Sequence, residues 1–416
     1  MSESTDARPR RSVLATAGLA AIVLLAPVWA LHVVPRREPV DFFQDWMAAR
    51  DLVAGRPLYR ALSEEAASIG VAGTFKLGHT THPPTAALAV LPLAWLDYRQ
   101  AMLVWNLVSL ALLAATIRLV VRELEWSPER STVLVGVALL MAWVPLWDVV
   151  EHGQSGLVML ALIAVAWRAL RRGADVEAGI ALGAAAALKL YPGLLVVYLL
   201  LVGRRRAVVA AAVTVLALAG IVTAIAGPSA WTRFVALGLP ELRRWWPNWM
   251  GVSLTGFAAR LFMPDEKTVP LVWSPAVAAV LIAVGTLAAL AATVVSCARD
   301  RANLDRAFAL VTTLSLLVST VAWPHYFVVL LLPLALVVHA SPPLDRTMLT
   351  ALVATWALMN VPQVPIAMRV IGAGPASPLF ALTVLSANFY GLTGFFIWQL
   401  AAWRRATHSR PARARA

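Results

Sequence analysis

Long apolar runs, separated by short clusters of arginine, limit how this chain can fold. Residues 12–34 form one such run, which is long and apolar enough to cross a bilayer as a helix. Hydrophobic residues make up 60% of the 416 positions and charged residues only 14%, whereas a soluble chain carries about a quarter charged residues. The sequence therefore predicts an all-α polytopic membrane protein, with one integral-membrane domain over residues 1–416. The first run lacks a clear small-x-small cleavage site, so we expect it to be retained.

The arginine clusters predict how the chain is oriented. Cytoplasmic segments of membrane proteins are rich in lysine and arginine, and here basic clusters lie in the tail 1–11, between apolar runs, and in the tail 404–416. We therefore expect both termini in the cytoplasm and about twelve transmembrane helices. The net charge of +13 belongs to this orientation signal, and the sequence predicts no nucleic-acid partner.

Two stretches need a more detailed prediction. Clusters at Arg172 and Arg204 flank a single apolar run, and a break at Lys189-Leu190-Tyr191-Pro192 would return the chain as a hairpin, because proline ends or kinks a helix. The alternative is one crossing with a misplaced arginine cluster. Between residues 83 and 121 we expect one span, over residues 100–121, preceded by a short helix that crosses only partly.

This threading leaves two larger segments on the outer face. The first external loop, residues 35–82, alternates apolar and polar residues at helical spacing, which predicts short interfacial helices. The second segment, residues 228–270, is aromatic and basic. The connections on the inner face are short and basic. We therefore expect the chemistry of this protein on the outer face, at the depth of the lipid headgroups.

Two aspartates early in the first external loop are candidate general bases. Asp41 and Asp45 lie four residues apart, so on a helix both carboxylates project from one face. A carboxylate within hydrogen-bond reach of a hydroxyl can accept its proton during group transfer. Either residue could instead cap an interfacial helix or face water. Their spacing does not require a divalent cation, and with one cysteine, Cys297, and no metal motif we expect no metal site.

Three further residues are candidates for contact with a substrate. Lys189 lies inside an otherwise uncharged apolar run, where an ammonium by default marks a site and suits a phosphate; the alternative is a lysine that reaches the headgroups. His325 lies between two apolar runs, where it either donates to a phosphate, shuttles a proton, or is a buried structural histidine. His82 either lines the substrate or packs at the interface.

One external segment combines cations with aromatic rings. Arg243 and Arg244 are candidate phosphate ligands, and Trp245, Trp246 and Asn248 are candidate substrate-lining residues. Tryptophan rings are also typical of the membrane–water interface. The segment therefore either stacks on sugars or anchors the protein among the headgroups.

A series of short motifs runs in order along nearly the whole chain. The motifs are Asp41-Phe42 with Ala48-Ala49, Gly55 with Tyr59, Pro83-Pro84, Gly153-Gln154, Ala178-Gly179 leading to Lys189-Leu190-Tyr191-Pro192, Asn248 with Ser253-Leu254, Gly256 and Arg260, and Trp323-Pro324-His325-Tyr326. No single motif is specific, but their order is, and together they resemble glycosyltransferase family 87, a group of GT-C membrane enzymes best represented in actinobacteria. After Gln154 the family often continues with asparagine, whereas this chain has Ser155-Gly156.

The resemblance implies a GT-C fold and sugar transfer at the extracytoplasmic face of a bacterial plasma membrane. The donor would be a polyprenyl-phosphate sugar, the acceptor an envelope glycolipid or polysaccharide, and no cofactor is expected. The resemblance makes Asp41 the catalytic base, with Asp45 as the second candidate. It makes His325 a contact of the donor phosphate, a task that Lys189 shares. Retention of the W-x-H-Y histidine favours mannose as the sugar.

The matched motifs also make Gln154, Tyr191 and Tyr326 candidates for lining the substrate. Three alternatives stay open at this point: an arabinofuranosyltransferase that uses polyprenyl-phosphate arabinose, a lipid transporter or flippase, and an envelope scaffold protein. Transporters also have many spans and broken helices, but here the ionisable residues gather at one face and no internal repeat is visible. A scaffold would leave the outer charged residues without a task.

Overall fold

Apolar helices joined by short connections make up nearly all of the described chain. The computed structural model describes residues 7–33, 40–69, 78–246, 248–265, 267–300, 303–340, 345–370 and 374–408. Parts of both predicted tails and of the first external loop therefore lie outside the described residues. Within these ranges no β-strand occurs, and short 3₁₀ turns at Pro84–Ala86, Leu91–Leu93, Pro324–Leu330 and Val384–Ser386 and a π-helical turn at Phe234–Gly238 connect the helices.

The helices are, in chain order, α1 (Ala7–Val33), α2 (Phe42–Val53), α3 (Leu62–Ser68), α4 (Ala87–Val90), α5 (Tyr98–Glu123), α6 (Arg130–Met141), α7 (Val144–His152), α8 (Gly156–Arg171), α9 (Asp175–Leu188), α10 (Gly193–Leu201), α11 (Arg205–Ala226), α12 (Ser229–Arg233), α13 (Leu239–Arg244), α14 (Leu254–Phe262), α15 (Pro275–Arg299), α16 (Leu304–Leu317), α17 (Leu331–Ala340), α18 (Arg346–Met359), α19 (Gln363–Val370), α20 (Pro378–Leu382) and α21 (Ala387–His408).

Five helical stretches in the described residues are long and apolar enough to cross a membrane: Val13–Val33, α5, α11, α15 and Pro378–Ala402. Helices α6 and α7 form a sixth candidate that is bent by 54°. The predicted all-helical membrane architecture is confirmed, whereas the number of about twelve crossings stays a prediction. Between residues 83 and 121 one helix, α5, is long and apolar enough to span a membrane, and the short apolar helix Pro84–Leu93 precedes it; that this short helix crosses only partly stays a prediction.

The predicted hairpin around Lys189 is present. Helix α9 ends at Leu188 and α10 begins at Gly193. A guanidinium nitrogen of Arg204, just after α10, donates to Asp175 Oδ1 at the start of α9 over 3.0 Å. The chain therefore returns to the end from which it started, and the Lys189–Pro192 break forms the apex of the hairpin.

Two glycines let α9 pack closely on α11. A Cβ atom on Gly179 would lie 2.2 Å from the carbonyl oxygen of Ala207, and one on Gly183 would lie 2.6 Å from that of Ala211. Small residues four positions apart allow helix backbones in membranes to approach this closely. The packing holds the hairpin against the long span α11, so that Lys189 projects from a rigid support.

Helix α2 differs from the expected interfacial helix because both of its faces are covered by protein. Phe42, Phe43 and Trp46 are each about 1% exposed, and the Phe42 ring stacks on Trp105 with centroids 5.7 Å apart. The Phe43 ring packs edge-on against Tyr98 at 5.6 Å. Aromatic packing of this kind adds to the burial energy of each ring. It fixes the helix that begins directly after Asp41.

A buried arginine organises the segment before the W-x-H-Y turn. Arg260 is fully buried, and its guanidinium donates to the carbonyl oxygens of Trp249 at 2.7 Å and Gly251 at 3.0 Å. The next residue, Val252, donates its N–H to the carbonyl of Ala322 over 2.9 Å. This network gives a physical reason for the arginine of the S-L-x-G-x-x-x-R motif, because it links α14 to the segment that leads into His325.

Candidate active site

Asp41 lies immediately before α2, where a close turn brings a second element to it. Gly153 has a φ of +60°, which favours glycine, and a Cβ atom there would lie 2.6 Å from Phe42 Cβ. The next residue, Gln154, donates from its side-chain Nε2 to Asp41 Oδ2 over 2.7 Å. The Gly153-Gln154 pair therefore joins the α7–α8 turn to the candidate base.

The same glutamine binds Lys189. The Lys189 ammonium donates to Gln154 Oε1 over 2.8 Å, so one amide links the cation to the Asp41 carboxylate. The two charges fix the orientation of the amide, because its oxygen faces the ammonium and its NH₂ group faces the carboxylate. Lys189 is only 6% exposed. It also follows the last turn of α9, where the helix dipole favours a positive charge.

Aromatic rings cover the other side of the ammonium. Lys189 Nζ lies 4.3 Å from the centre of the Tyr326 ring, a distance typical of a cation–π contact. Tyr191 packs against Tyr326 with ring centroids 5.4 Å apart. The hairpin apex and the W-x-H-Y turn therefore meet at Lys189.

His325 lies next to this group, on the turn before α17. Its side chain is buried, and both Lys189 and Asp41 lie close enough to act electrostatically on the ring. Its Nδ1 faces Asp148 Oδ2 at 3.3 Å, while its Nε2 is buried and has no hydrogen-bond partner. The structure thus brings Asp41, Lys189 and His325 together from three distant parts of the sequence.

Asp45 has a separate partner. Its Oδ1 lies 2.7 Å from Nδ1 of His82, and the carbonyl of His82 accepts the hydroxyl of Tyr59 at 2.6 Å. Burial and the Asp45 carboxylate raise the pKa of the Tyr59 hydroxyl above its ordinary value, so the group stays protonated and donates. Asp41 directly precedes α2 and Asp45 lies in its first turn, but the two carboxylates face different residues.

The aromatic and basic segment contributes less to this cluster. Arg243 and Arg244 are exposed, and the Arg244 guanidinium pairs with Glu241 at 3.2 Å. In the described residues no hydrogen bond or ion pair joins either arginine to Gln154, Lys189 or His325, and their role as phosphate ligands stays a prediction.

The three neighbouring candidates, Trp245, Trp246 and Asn248, differ in how close they lie to this cluster. Trp245 packs edge-on against Trp323 with centroids 5.8 Å apart, two residues before His325. Asn248 uses its side-chain oxygen within its own loop, where it accepts from the N–H of Met250 at 2.9 Å. Trp246 is partly exposed. The structure therefore brings Trp245 near the W-x-H-Y turn and gives Asn248 a local structural contact.

Two residues of this region were missed by sequence reasoning. Asp148 on α7 faces two imidazoles, with Oδ1 3.0 Å from Nδ1 of His152 and Oδ2 facing His325. The Asp41 carboxylate also acts electrostatically on His152. The signal was present, because an acidic residue inside an apolar helical run is costly and by default functional.

The arrangement combines a carboxylate with two groups that suit an anion. A carboxylate can take a proton from a hydroxyl, while a lysine and a histidine can hold a phosphate. These groups lie in a largely buried environment, where electrostatic contacts are stronger than in water. Among the described residues, no group of three or more His, Cys, Asp or Glu side chains is arranged to hold a metal ion.

Comparison with known sequences identifies relatives across most of the chain. The profile of Glycosyltransferase family 87 matches residues 81–320. A polyprenol-phosphate-mannose-dependent alpha-(1-2)-phosphatidylinositol mannoside mannosyltransferase of Mycobacterium tuberculosis is 28% identical over 353 residues, which is 77% of this chain and 74% of the relative. A polyprenol-phosphate-mannose-dependent alpha-(1-2)-phosphatidylinositol pentamannoside mannosyltransferase of the same species is 26% identical over 289 residues, or 68% of this chain and 64% of the relative.

Solved structures give a more distant likeness. ArnT from Cupriavidus metallidurans in the apo state superposes with a TM-score of 0.36 at 15% identity, covering 93% of this chain and 78% of ArnT. The same protein bound to undecaprenyl phosphate gives a TM-score of 0.37 at 14% identity, with 95% and 78% covered. A likeness this distant does not define the fold or the site.

Proposed function

Because the chain belongs to glycosyltransferase family 87, we propose that it transfers mannose from a polyprenyl-phosphate mannose to a lipid-linked acceptor of the cell envelope. The names of its mannose-dependent relatives support the sugar and the type of donor. The observation that carries the proposal is the continuous contact from Asp41 through Gln154 to Lys189, with His325 beside it. It offers a base and a phosphate site in one buried cluster.

The proposed reaction is a single displacement at the anomeric carbon. An acceptor hydroxyl attacks that carbon, and the bond between the carbon and the phosphate oxygen breaks. The hydroxyl proton passes to Asp41, and polyprenyl phosphate leaves with the electron pair of the broken bond. Attack from the side opposite to the leaving group inverts the anomeric centre. Asp41 suits the role of base because its second oxygen, Oδ1, is not engaged by the Gln154 bond.

Lys189 and His325 would stabilise the leaving phosphate. Negative charge grows on the phosphate as the bond breaks, and preorganised cations in a buried site lower the energy of that state. The Lys189 ammonium has three N–H donors; one binds Gln154 and the Tyr326 ring covers another side. The unpartnered Nε2 of His325 offers a second contact. In this proposal Lys189 and His325, rather than a metal ion, hold the phosphate.

Asp45 is the weaker candidate for the base. Its carboxylate is 2.7 Å from the His82 ring and lies among buried residues. The proposed task of this pair is to hold the segment before Pro83 against α2. Thr85, two residues further, donates to the carbonyl of Ala187 at the end of α9. Through this segment, the Asp45–His82 pair would help to hold the end of α9, which directly precedes Lys189.

We further propose a GT-C architecture with about twelve crossings, both termini in the cytoplasm and the site at the outer face of the plasma membrane. Arginines 171 and 172, predicted to be cytoplasmic, lie at the end of α8 opposite to the Gln154 turn, which supports this orientation. Exposed Arg243 and Arg244 would then face the headgroups, where they can meet an anionic acceptor. Labelling of single cysteines placed in these two regions of Cys297→Ser protein tests the orientation from each side of the membrane.

Transfer from a labelled donor tests the proposed function. Membranes that contain the protein are supplied with polyprenyl-phosphate [³H]mannose, and labelled glycolipid is measured with and without EDTA. We expect mannose transfer that persists in EDTA and falls by about 10²- to 10⁴-fold in Asp41→Asn. Asp305→Asn, a carboxylate bonded to Trp167 and Arg171 far along the chain, is the matched control and should retain activity.

Three outcomes would contradict parts of the proposal. Transfer of arabinose but not mannose from the corresponding donor would reassign the sugar. Movement of a labelled lipid across proteoliposome membranes without a new glycosidic bond would instead indicate a flippase. Wild-type activity in folded Asp41→Asn protein would show that Asp41 is not the base, and the family assignment would be unaffected.

A further inference from the structure

We infer that Asp148 is a positioning residue of the transfer reaction, whose carboxylate holds the ring of His325 so that Nε2 faces the donor phosphate. The inference rests on the proposed function, because it assigns a task to a residue beside the phosphate site. Asp148 lies on α7, 177 positions before His325, so the contact exists only in the folded protein.

The hydrogen-bond partners fix the form of the ring. A carboxylate only accepts hydrogen bonds, so a His325 ring that faces Asp148 through Nδ1 carries its proton there. The other nitrogen, Nε2, is then left for a different partner. In this structure Nε2 is buried without one, and the side chain is only 5% exposed. Other buried polar atoms of the described residues also lack a partner, but Nε2 belongs to a ring beside Lys189 and Asp41, where an anionic ligand would meet it.

The charges around the ring explain why a carboxylate is needed. Lys189 is close enough to repel a positive imidazolium, and burial also disfavours that charge. Asp148 lies on the opposite ring nitrogen and supplies a compensating negative charge, with a further contribution from Asp41. Burial and Lys189 together lower the pKa of His325 even with Asp148 in place. The negative charge of a bound phosphate adds to that of Asp148 and favours the protonated ring, whose Nε2 then donates to a phosphate oxygen. Without Asp148, the ring loses both its orientation and its counter-charge.

Asp148 also faces His152, and this contact offers a different explanation. His152 is four residues later on the same helix, and its Nδ1 lies 3.0 Å from Asp148 Oδ1 and 2.9 Å from the Asp148 carbonyl oxygen. A carboxylate that served only this local contact would stabilise the end of α7 and have no coupling to His325. The experiment must therefore separate the two partners.

The reaction itself offers a way to do so. The phosphodiester donor carries one negative charge, whereas the released polyprenyl phosphate is a monoester that carries up to two near neutral pH. A hydrogen bond from His325 Nε2 that Asp148 supports should therefore be stronger to the released polyprenyl phosphate than to the bound sugar lipid. It should also be stronger to the transition state that resembles the product. A purely structural role would weaken the binding of both lipids equally.

The test uses Asp148→Asn, His325→Gln and the double variant in full-length protein, with Asp305→Asn as the matched control. Three quantities are measured: kcat, the KM for polyprenyl-phosphate mannose, and the affinity for polyprenyl phosphate without a sugar. We expect Asp148→Asn to lower kcat by about 10- to 100-fold, as for other carboxylates that orient a functional histidine. Affinity for polyprenyl phosphate should fall more than the KM for the donor rises.

Coupling between the two residues decides the result. In the His325→Gln background, Asp148→Asn should change kcat by less than about twofold, because the two residues act as one unit. Equal effects of Asp148→Asn in both backgrounds, or equal weakening for donor and product, would overturn the inference. If Asp148→Asn does not yield folded protein, Asp148→Glu replaces it in the same cycle, and additivity there has the same meaning. Absence of transfer in the wild type would refute the proposed function instead, and the lipid-phosphate binding cycle would still test Asp148.

Discussion

Charged side chains gather at two ends of the helical bundle, and the two groups differ in burial and in partners. At the site end, Lys189 and His325 are 6% and 5% exposed, and each is bonded to a side chain from a distant segment. At the other end, Glu123 pairs with Arg172 at 2.7 Å, and Arg171 pairs with Asp305 at 2.6 Å. There the Arg172 side chain is 56% exposed.

We interpret the buried group as the proposed site and the exposed group as part of the orientation signal. Exposed ion pairs contribute little to stability and are easily exchanged for water, which suits arginines on the face that the sequence predicts to be cytoplasmic. Buried ions carry a desolvation cost that neighbouring groups only partly offset. The site end bears that cost and also leaves Nε2 of His325 without a partner. In our proposal a bound phosphate supplies that partner.

Removal of the buried cation should give the largest effect. Lys189→Met keeps most of the side-chain volume but loses the charge that would hold the leaving phosphate, so we expect kcat to fall by about 10²- to 10³-fold. Arg172→Met removes an exposed cation from the other end and is the matched control, expected to stay within about twofold. Radiolabelled transfer assays on both purified variants measure the difference. Similar losses in the two variants would erase the contrast between the ends.

The two aspartates of the first external loop should also differ. Asp45→Asn keeps a hydrogen-bond acceptor for His82 while removing a charge, and we expect transfer to fall by about tenfold because the change acts through support of the site. Asp41→Asn should lose at least ten times more. The ratio of the two kcat values is the measurement, and a larger loss in Asp45→Asn would make Asp45 the base.

Much of the fold was predictable because it depends on local signals. Proline in the Lys189–Pro192 break and the arginines on either side of that run predicted the hairpin, which the Asp175–Arg204 contact closes. The burial of α2 was not predictable. Its apolar–polar alternation is the same whether one face meets lipid headgroups or both faces meet protein. Only the packing of Phe42 on Trp105 distinguishes the two.

The site was predictable in its charges but not in its connections. Asp41, Lys189 and His325 were recognisable because charged or titratable groups at membrane depth are costly. Gln154 is uncharged, so nothing local indicated that it would bridge two of them. The contact between Asp148 and His325 depends on how α7 packs on a turn far along the chain. One sequence carries no direct record of such a pairing.

Breaking the network at the other end should affect stability rather than transfer. Glu123 faces Arg168, Arg171 and Arg172 at 3.6, 3.5 and 2.7 Å. Glu123→Gln removes these ion pairs, and because the arginines are partly exposed we expect a loss of about 1 kcal/mol in unfolding free energy. Thermal unfolding in detergent measures it, with transfer activity assayed in parallel. A large loss of kcat at unchanged stability would show that this end also takes part in catalysis.

The smallest predicted effect on transfer concerns a buried pair outside the site, and it tests whether burial alone marks function. Glu65 on α3 and Asp51 on α2 are 2% and 1% exposed. Burial and the contact with Asp51 raise the pKa of Glu65 to about 9, while Arg56 donates to Asp51 Oδ1 at 2.7 Å. Glu65 is thus protonated in the folded protein and ionised in the unfolded chain near neutral pH.

Folding therefore takes up a proton at Glu65, so its contribution is complete at acid pH and declines as the pH rises from the ordinary carboxyl range to about 9. The decline approaches at most about 1.4 kcal/mol per pH unit. Glu65→Gln keeps a donor for Asp51 without titrating, so thermal unfolding between pH 5 and 9 should show a shallower slope than the wild type. Exposed Glu64→Gln is the control and should keep the wild-type slope. Because Arg56 already donates to Asp51, transfer by Glu65→Gln protein should stay within about twofold. A large loss would mean that burial of a carboxyl group by itself, rather than a buried polar atom without a partner, marks function in this fold.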